Sequence, residues 1–123
     1  MFAKITPLLT KYCPQYCLVH LGTNDSNCKL YNQIYDELFS LKRFIQNISP
    51  DTVVILSKPI MRTDNANANL NIRSLNAKLN NAGVLLLDND NLREEHLGVK
   101  GLHLNDHGNA KLAVNIIRLI RRL

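Results

Sequence analysis

The sequence has no tryptophan, few aromatic residues and no long apolar run. Its apolar stretches fall far short of the roughly 20 residues that span a membrane, so no membrane span is predicted. Pro7 and Lys11 interrupt the N-terminal apolar stretch, and no signal peptide is predicted either. We therefore expect an intracellular protein, cytoplasmic or otherwise, that folds as a single domain over residues 1–123.

Cysteine is also scarce. Cys13, Cys17 and Cys28 are odd in number and follow no repeated spacing, which argues against a disulfide framework and for a reducing compartment. No second Cys or His pair completes a thiolate zinc site. His103 and His107 stand four residues apart, but without a Glu or a third ligand this spacing is a weak zinc signal. We therefore predict no metal and no cofactor.

Acidic residues are outnumbered, since 15 Lys and Arg against 10 Asp and Glu give a net charge of +5. Three of the positive charges lie in the last six residues, at Arg118, Arg121 and Arg122. Cations at that place complement the dipole of a C-terminal helix. No aromatic residues interleave with the basic ones to stack on bases, so a nucleic-acid partner is not predicted.

Three short apolar runs predict β-strands at Cys17–Leu21, Thr52–Ser57 and Val84–Leu87. They show no clear alternation, which is typical of parallel strands buried on both faces. Strands that alternate with helices predict an α/β fold in which helices cover a parallel sheet.

The segments around these strands show helical spacing. A short helix is predicted over Phe2–Tyr12, and the second helix carries apolar residues at Tyr31, Ile34, Tyr35, Leu38, Leu41, Ile45 and Ile48. Gly83 is placed to end the third helix. Asn105 or Asp106 can cap the last helix, whose predicted apolar face consists of Ala113, Ile116, Ile117, Ile120 and Leu123.

Polar residues follow the predicted strands. Ligands of open α/β sheets bind outside the carboxyl ends of the strands, where "GTNDSN" brings Asn24 and a later loop brings His103. An Asn amide can donate to a developing oxyanion, and a nearby His can act as general base. Each residue also has a plain structural reading: Asn24 and Asp25 can bond the backbone of a turn, and His103 can simply precede a helix.

Two segments resemble the SGNH, or GDSL-type, hydrolases. "VHLGTND" (Val19–Asp25) is similar to block III of that family, and "GLHLNDHGNAKLA" (Gly101–Ala113) is similar to its block V. The resemblance extends from about Pro14 to about Leu119. It implies a flavodoxin-like three-layer α/β/α sandwich, truncated here to about three parallel strands. It also implies hydrolysis of esters, acetyl groups or lipids, with an ester-bearing small molecule as the ligand.

The resemblance implies a role for each matching residue. Asn24 corresponds to the oxyanion donor and His103 to the general base. Gly22 keeps the loop tight beside the site, with Asp25 next to the donor. Lys100 stands where the family has the Asp that orients the base. A Lys ammonium only donates hydrogen bonds, and its charge disfavours the imidazolium that forms during catalysis.

The family's nucleophilic Ser and second oxyanion Gly belong to an N-terminal part that the matched segments do not include. Ser26 and Ser57 are expected near the carboxyl edge of the sheet, but neither follows a Gly-Asp pair as the family's nucleophilic Ser does. Loss of the nucleophile alone costs about 10⁶ in kcat in a comparable hydrolase, so we predict an inactive chain. Carboxylates that could replace the orienting Asp are Asp88, Asp90, Glu94, Glu95 and Asp106.

Two interpretations stay open. The chain is the C-terminal portion of an SGNH-type esterase, or it is a non-catalytic binding or interaction remnant of that fold, which a mobile element could encode. Both predict that Asn24 and His103 meet at the carboxyl edge of the sheet, with Lys100 beside the imidazole. Both also leave the edge of strand Cys17–Leu21 unpaired, so an edge-strand partner or a homodimer is expected.

Overall fold

Four helices and three strands alternate along the part of the chain that the computed structural model describes. That part comprises residues 2–23 and 25–123, with the backbone alone for residues 2 and 3. The elements in chain order are α1 (Phe2–Tyr12), β1 (Tyr16–Val19), α2 (Tyr31–Ile48), β2 (Val53–Ser57), α3 (Ala66–Asn80), β3 (Leu86–Leu87) and α4 (Asp106–Arg122). This alternation confirms the predicted α/β class.

The three strands form one parallel sheet in the order β1-β2-β3. Val19 pairs with Leu56, and Leu56 in turn pairs with Leu86, so the carboxyl ends of all three strands meet at one edge. The predicted strands were slightly too long, since β1 ends at Val19 rather than Leu21 and β3 begins at Leu86. The chain leaves the sheet at residue 20 because the turn around Gly22 needs a backbone that no strand adopts.

Helices cover both faces of the sheet, which gives three layers. On one face, α1, α2 and α3 bury a large apolar cluster against β1 and β2, including Leu9, Ile34, Leu38, Leu41, Ile45, Val54, Leu56, Leu75 and Leu79. On the other face, Leu119 of α4 packs with Ile55 and Leu87. The apolar side chains of successive strand residues therefore point to opposite layers, as the strand period of two requires.

The predicted apolar face of α4 is right at Ile116 and wrong at its other four residues. Ile117, Ile120 and Leu123 are 48%, 39% and 50% exposed, and Ala113 is exposed too. The face that packs on the sheet consists of Leu112 and Leu119, which were not predicted, together with Ile116. Apolar residues occupy two adjacent sides of this helix, so the helical period alone does not select one of them, and packing against Ile55 and Leu87 does.

No helix among residues 2–23 and 25–123 is both long enough and apolar enough to cross a membrane.

Candidate functional site

A cavity of about 620 Å³ opens at the carboxyl edge of the sheet, and we call it the edge cavity. Its wall combines the loop after β1, the residue Ile60 after β2 and the segment that leads into α4. The lining residues are His20, Leu21, Gly22, Thr23, Asp25, Ile60, Leu102, His103, Leu104, Asn109 and Leu112. Three predicted site residues, Gly22, Asp25 and His103, therefore share one cavity. The predicted oxyanion donor Asn24 lies outside the described residues.

Gly22 shapes the first wall of the edge cavity. Its φ angle is +118°, which residues with a side chain rarely adopt, and a Cβ at this position would lie 2.9 Å from Cγ of Pro59. The chain then turns into a short 3₁₀ helix, Asp25–Asn27. The Asp25 carbonyl accepts the backbone N–H of Lys29 at 2.8 Å. A glycine at position 22 thus allows the strand to end and the loop to fold back within a few residues.

His103 lines the same cavity, and its backbone is held by the turn that precedes it. The His103 carbonyl accepts the N–H of Gly98 at 2.7 Å, and the Gly101 carbonyl accepts the N–H of Thr63 at 2.8 Å. Gly101 has a φ of +71°, and a Cβ there would collide with Oγ1 of Thr63. The loop after β2 therefore fixes the position from which the exposed His103 ring reaches the cavity.

Lys100, predicted to lie beside the imidazole, occupies the exposed turn between Gly98 and Gly101. Within the described part of the chain it makes no hydrogen bond or ion pair, and none links it to His103. The predicted proximity of Lys100 to the ring therefore stays a prediction.

Asp64 is a carboxylate that interacts electrostatically with His103. Hydrogen bonds from Arg62 lower the pKa of Asp64, and the nearby His103 lowers it slightly further. The sequence did not single out Asp64, although it follows β2 and so lies at the same edge. Asp88 and Asp90, two of the carboxylates that the sequence suggested as partners of His103, form ion pairs with Nζ of Lys58 instead.

Arg62 ties the loops of the edge together. Its side chain is only 5% exposed, and it binds Asp64 in a bidentate pair, with Nε–Oδ1 at 2.6 Å and Nη2–Oδ2 at 2.7 Å. Nη1 also donates to the Thr23 carbonyl at 3.0 Å. Since a buried guanidinium is costly without partners, these bonds keep the loop after β1 and the loop after β2 in a fixed relation.

A row of hydrogen-bonded polar side chains crosses the carboxyl edge on the face that α4 covers, with one residue at or just after the end of each strand. Nδ1 of His20 lies 2.7 Å from Oγ of Ser57, and Nδ2 of Asn89 donates to the same oxygen at 2.9 Å. Asn115 of α4 completes the row by donating to Oδ1 of Asn89 at 3.3 Å. We call His20, Ser57, Asn89 and Asn115 the polar row. Sequence reasoning missed it, because only the strand register shows that these residues are neighbours.

Neither serine considered as a substitute nucleophile reaches the edge cavity. Ser57 is 1% exposed and Ser26 is 6% exposed. Ser57 belongs to the polar row, while Ser26 donates to the Thr23 carbonyl and accepts from Arg62. Among the described lining residues, the one side-chain hydroxyl is that of Thr23, which donates to the Ile60 carbonyl at 3.2 Å.

The other two histidines of this region stand apart from the cavity. His96 is 2% exposed, and its Nδ1 accepts the backbone N–H of Arg93 at 2.8 Å. Its ring packs against that of the exposed His107, with centroids 4.9 Å apart. Asn105 caps α4, as predicted, by accepting the Gly108 N–H at 2.8 Å. The described residues contain no group of three His, Cys, Asp or Glu side chains arranged to hold a metal ion.

No protein-family model matches the chain, and no curated protein matches it significantly.

Proposed function

We propose that the chain is an SGNH-type esterase-like domain whose edge cavity binds an acyl or ester group without hydrolysing it. The observation that carries the proposal is the meeting of the loop after β1 with His103 in one cavity, at the carboxyl edge of a parallel sheet. Those two segments are also the ones that resemble blocks III and V of the family. Ligands of open α/β sheets bind at this edge for topological reasons.

The lining of the edge cavity suits such a ligand. Leu102, Leu104 and Leu112 offer an apolar wall for a short acyl chain, while His103 and Asp25 face the same space. A cavity with mostly apolar walls and a few converging polar groups is the usual form of a small-molecule site. The ester end of the ligand therefore belongs near the imidazole, and the hydrocarbon end near the leucines.

Hydrolysis is not part of the proposal, because a general base needs a nucleophile within hydrogen-bond reach. Ser26 and Ser57 are buried, and their hydroxyl groups form hydrogen bonds with other residues. The hydroxyl of Thr23 donates to a backbone carbonyl. Asn24 remains the proposed oxyanion donor of this site by resemblance. The alternative, a non-catalytic binding or interaction remnant of the fold, agrees with the same absence of turnover.

A titration with methyl butyrate, followed through backbone amide NMR signals, tests the proposal. We expect the signals of Thr23, Asp25 and His103 to shift together, and those of Ser74 on α3 to stay in place. His103→Ala should weaken binding, and the ester should hydrolyse no faster than in buffer. The proposal fails if the cavity signals do not move or if the shifts are spread over the surface.

A further inference from the structure

The polar row fixes the hydrogen of one buried hydroxyl. Nδ2 of Asn89 donates to the Lys58 carbonyl at 2.8 Å as well as to Ser57, which identifies that end of the amide as the NH₂ group. Ser57 therefore accepts from Asn89, and its own hydrogen is free to donate. Among the described residues, Nδ1 of His20 is the one acceptor found within reach of that hydrogen.

This arrangement decides the state of the His20 ring. A buried hydroxyl that donates nowhere is unfavourable, so the stable arrangement has Ser57 donating to Nδ1. The proton of the neutral ring then lies on Nε2. Desolvation lowers the pKa of His20, which independently favours the neutral ring. His20 is exposed to solvent and lines the edge cavity, so its ring is accessible to a ligand.

We propose that the Nε2–H group of His20 is a fixed hydrogen-bond donor of the edge cavity and binds the carbonyl oxygen of an acyl ligand. The inference rests on the proposed function, because it assigns a new residue to the same cavity. His20 directly follows β1, and its hydrogen bond with Ser57 restrains the rotation of its ring. A donor held in this way meets a carbonyl oxygen without losing freedom of its own on binding.

The ring state is tested first, without any ligand, through the side-chain ¹⁵N signals of the full chain at mildly alkaline pH. We expect protonation at Nε2 and a bare Nδ1. Ser57→Ala should give a mixture of the two tautomers, provided that amide spectra show the variant to be folded. Ser26→Ala, which changes the other buried serine of this edge, should leave the His20 signals as they are. A wild-type ring protonated at Nδ1 overturns the proposal.

The ligand is tested by titrating methyl butyrate while following Nε2 of His20. We expect this signal to shift together with the cavity amides. His20→Phe should weaken binding by roughly three- to tenfold, the worth of one hydrogen bond, and His20→Gln, which retains an N–H donor, by less. If the amides of Thr23 and Asp25 shift while His20 does not, the inference fails and the proposed function stands. If nothing shifts, both fail.

Discussion

At the scale of single residues, two glycines with nearly equal φ angles allow the cost of backbone strain to be distinguished from the cost of steric crowding. Gly83 and Gly101 have φ angles of +69° and +71°, but only Gly101 has neighbours, Thr63 and Asp64, in the space a Cβ would fill. We expect Gly83→Ala to cost about 1–2 kcal/mol through strain alone. Gly101→Ala should cost clearly more, because Oγ1 of Thr63 occupies the space of the new Cβ and must also move.

Urea unfolding of the two variants measures this difference, and NMR shows whether the His103 signals move in Gly101→Ala alone. Equal losses of stability in the two variants would show that the contact between the turn and the loop after β2 is not a constraint on His103.

The pH dependence of stability is a second consequence at this scale. Desolvation lowers the pKa of His20 from its ordinary 6.5, so the unfolded chain binds a proton there more readily than the folded chain. The free energy of unfolding should therefore fall as the pH drops below 6.5, and this loss levels off below the folded pKa. Asp64, whose pKa Arg62 lowers below the ordinary 3.8, stabilises the fold above that pH and loses its contribution in stronger acid.

Urea unfolding across the pH range checks both signs. His20→Gln should flatten the slope just below pH 6.5 and leave the slope in strong acid, while Asp64→Asn should do the reverse. An increase of stability on acidification through 6.5 that depends on His20 would contradict the assigned direction of its shift.

The sequence predicted the position of some residues at the carboxyl edge of the sheet better than that of others. His103 and Gly22 were predictable because each follows a recognisable strand within a local motif. The roles of His20 and Asp64 were not predictable. His20 meets Ser57 only because of the register of the strands, and Asp64 meets Arg62 in an ion pair that the sequence does not reveal. Lys100 was predicted from a motif position, yet the turn that it occupies faces solvent.

At the scale of elements, α2 was predictable and the orientation of α4 was not. The helix Tyr31–Ile48 buries Ile34, Leu38, Leu41 and Ile45, the positions that its period indicates. In α4 the apolar residues cover two sides, and only the position of the sheet decides which side is buried. The strands were found by their composition, but their ends depend on where the loops turn.

The corrected face of α4 gives a direct test. Leu119 is 9% exposed and packs on the sheet, whereas Ile117 is 48% exposed on the same helix. We expect Leu119→Ala to lower the free energy of unfolding by about 2 kcal/mol or more, and Ile117→Ala to change it by less than about 0.5 kcal/mol. Chemical denaturation measures both, and the reverse order would restore the face first predicted from the sequence.

At the scale of the whole molecule, β1 is an edge strand of the described sheet, because it pairs with β2 on one side and with no described strand on the other. The strand Tyr16–Val19 contains neither a charge nor a proline, the features that usually protect an edge from pairing with another chain. We therefore expect concentration-dependent self-association in sedimentation experiments. Tyr16→Lys should weaken it, while Val53→Lys, which places the same charge on the neighbouring central strand, should not. A monomer at every concentration would contradict this prediction.

The most direct measurement of the central claim is covalent labelling with a serine-directed fluorophosphonate, with modified residues located by mass spectrometry. The claim is that the edge cavity has a base, His103, but no nucleophile. It predicts no labelling above that of the His103→Ala variant, and no hydrolysis of a short activated ester above that control. Labelling of Thr23, Ser26 or Ser57 that disappears in His103→Ala would contradict the claim and show an active hydrolase.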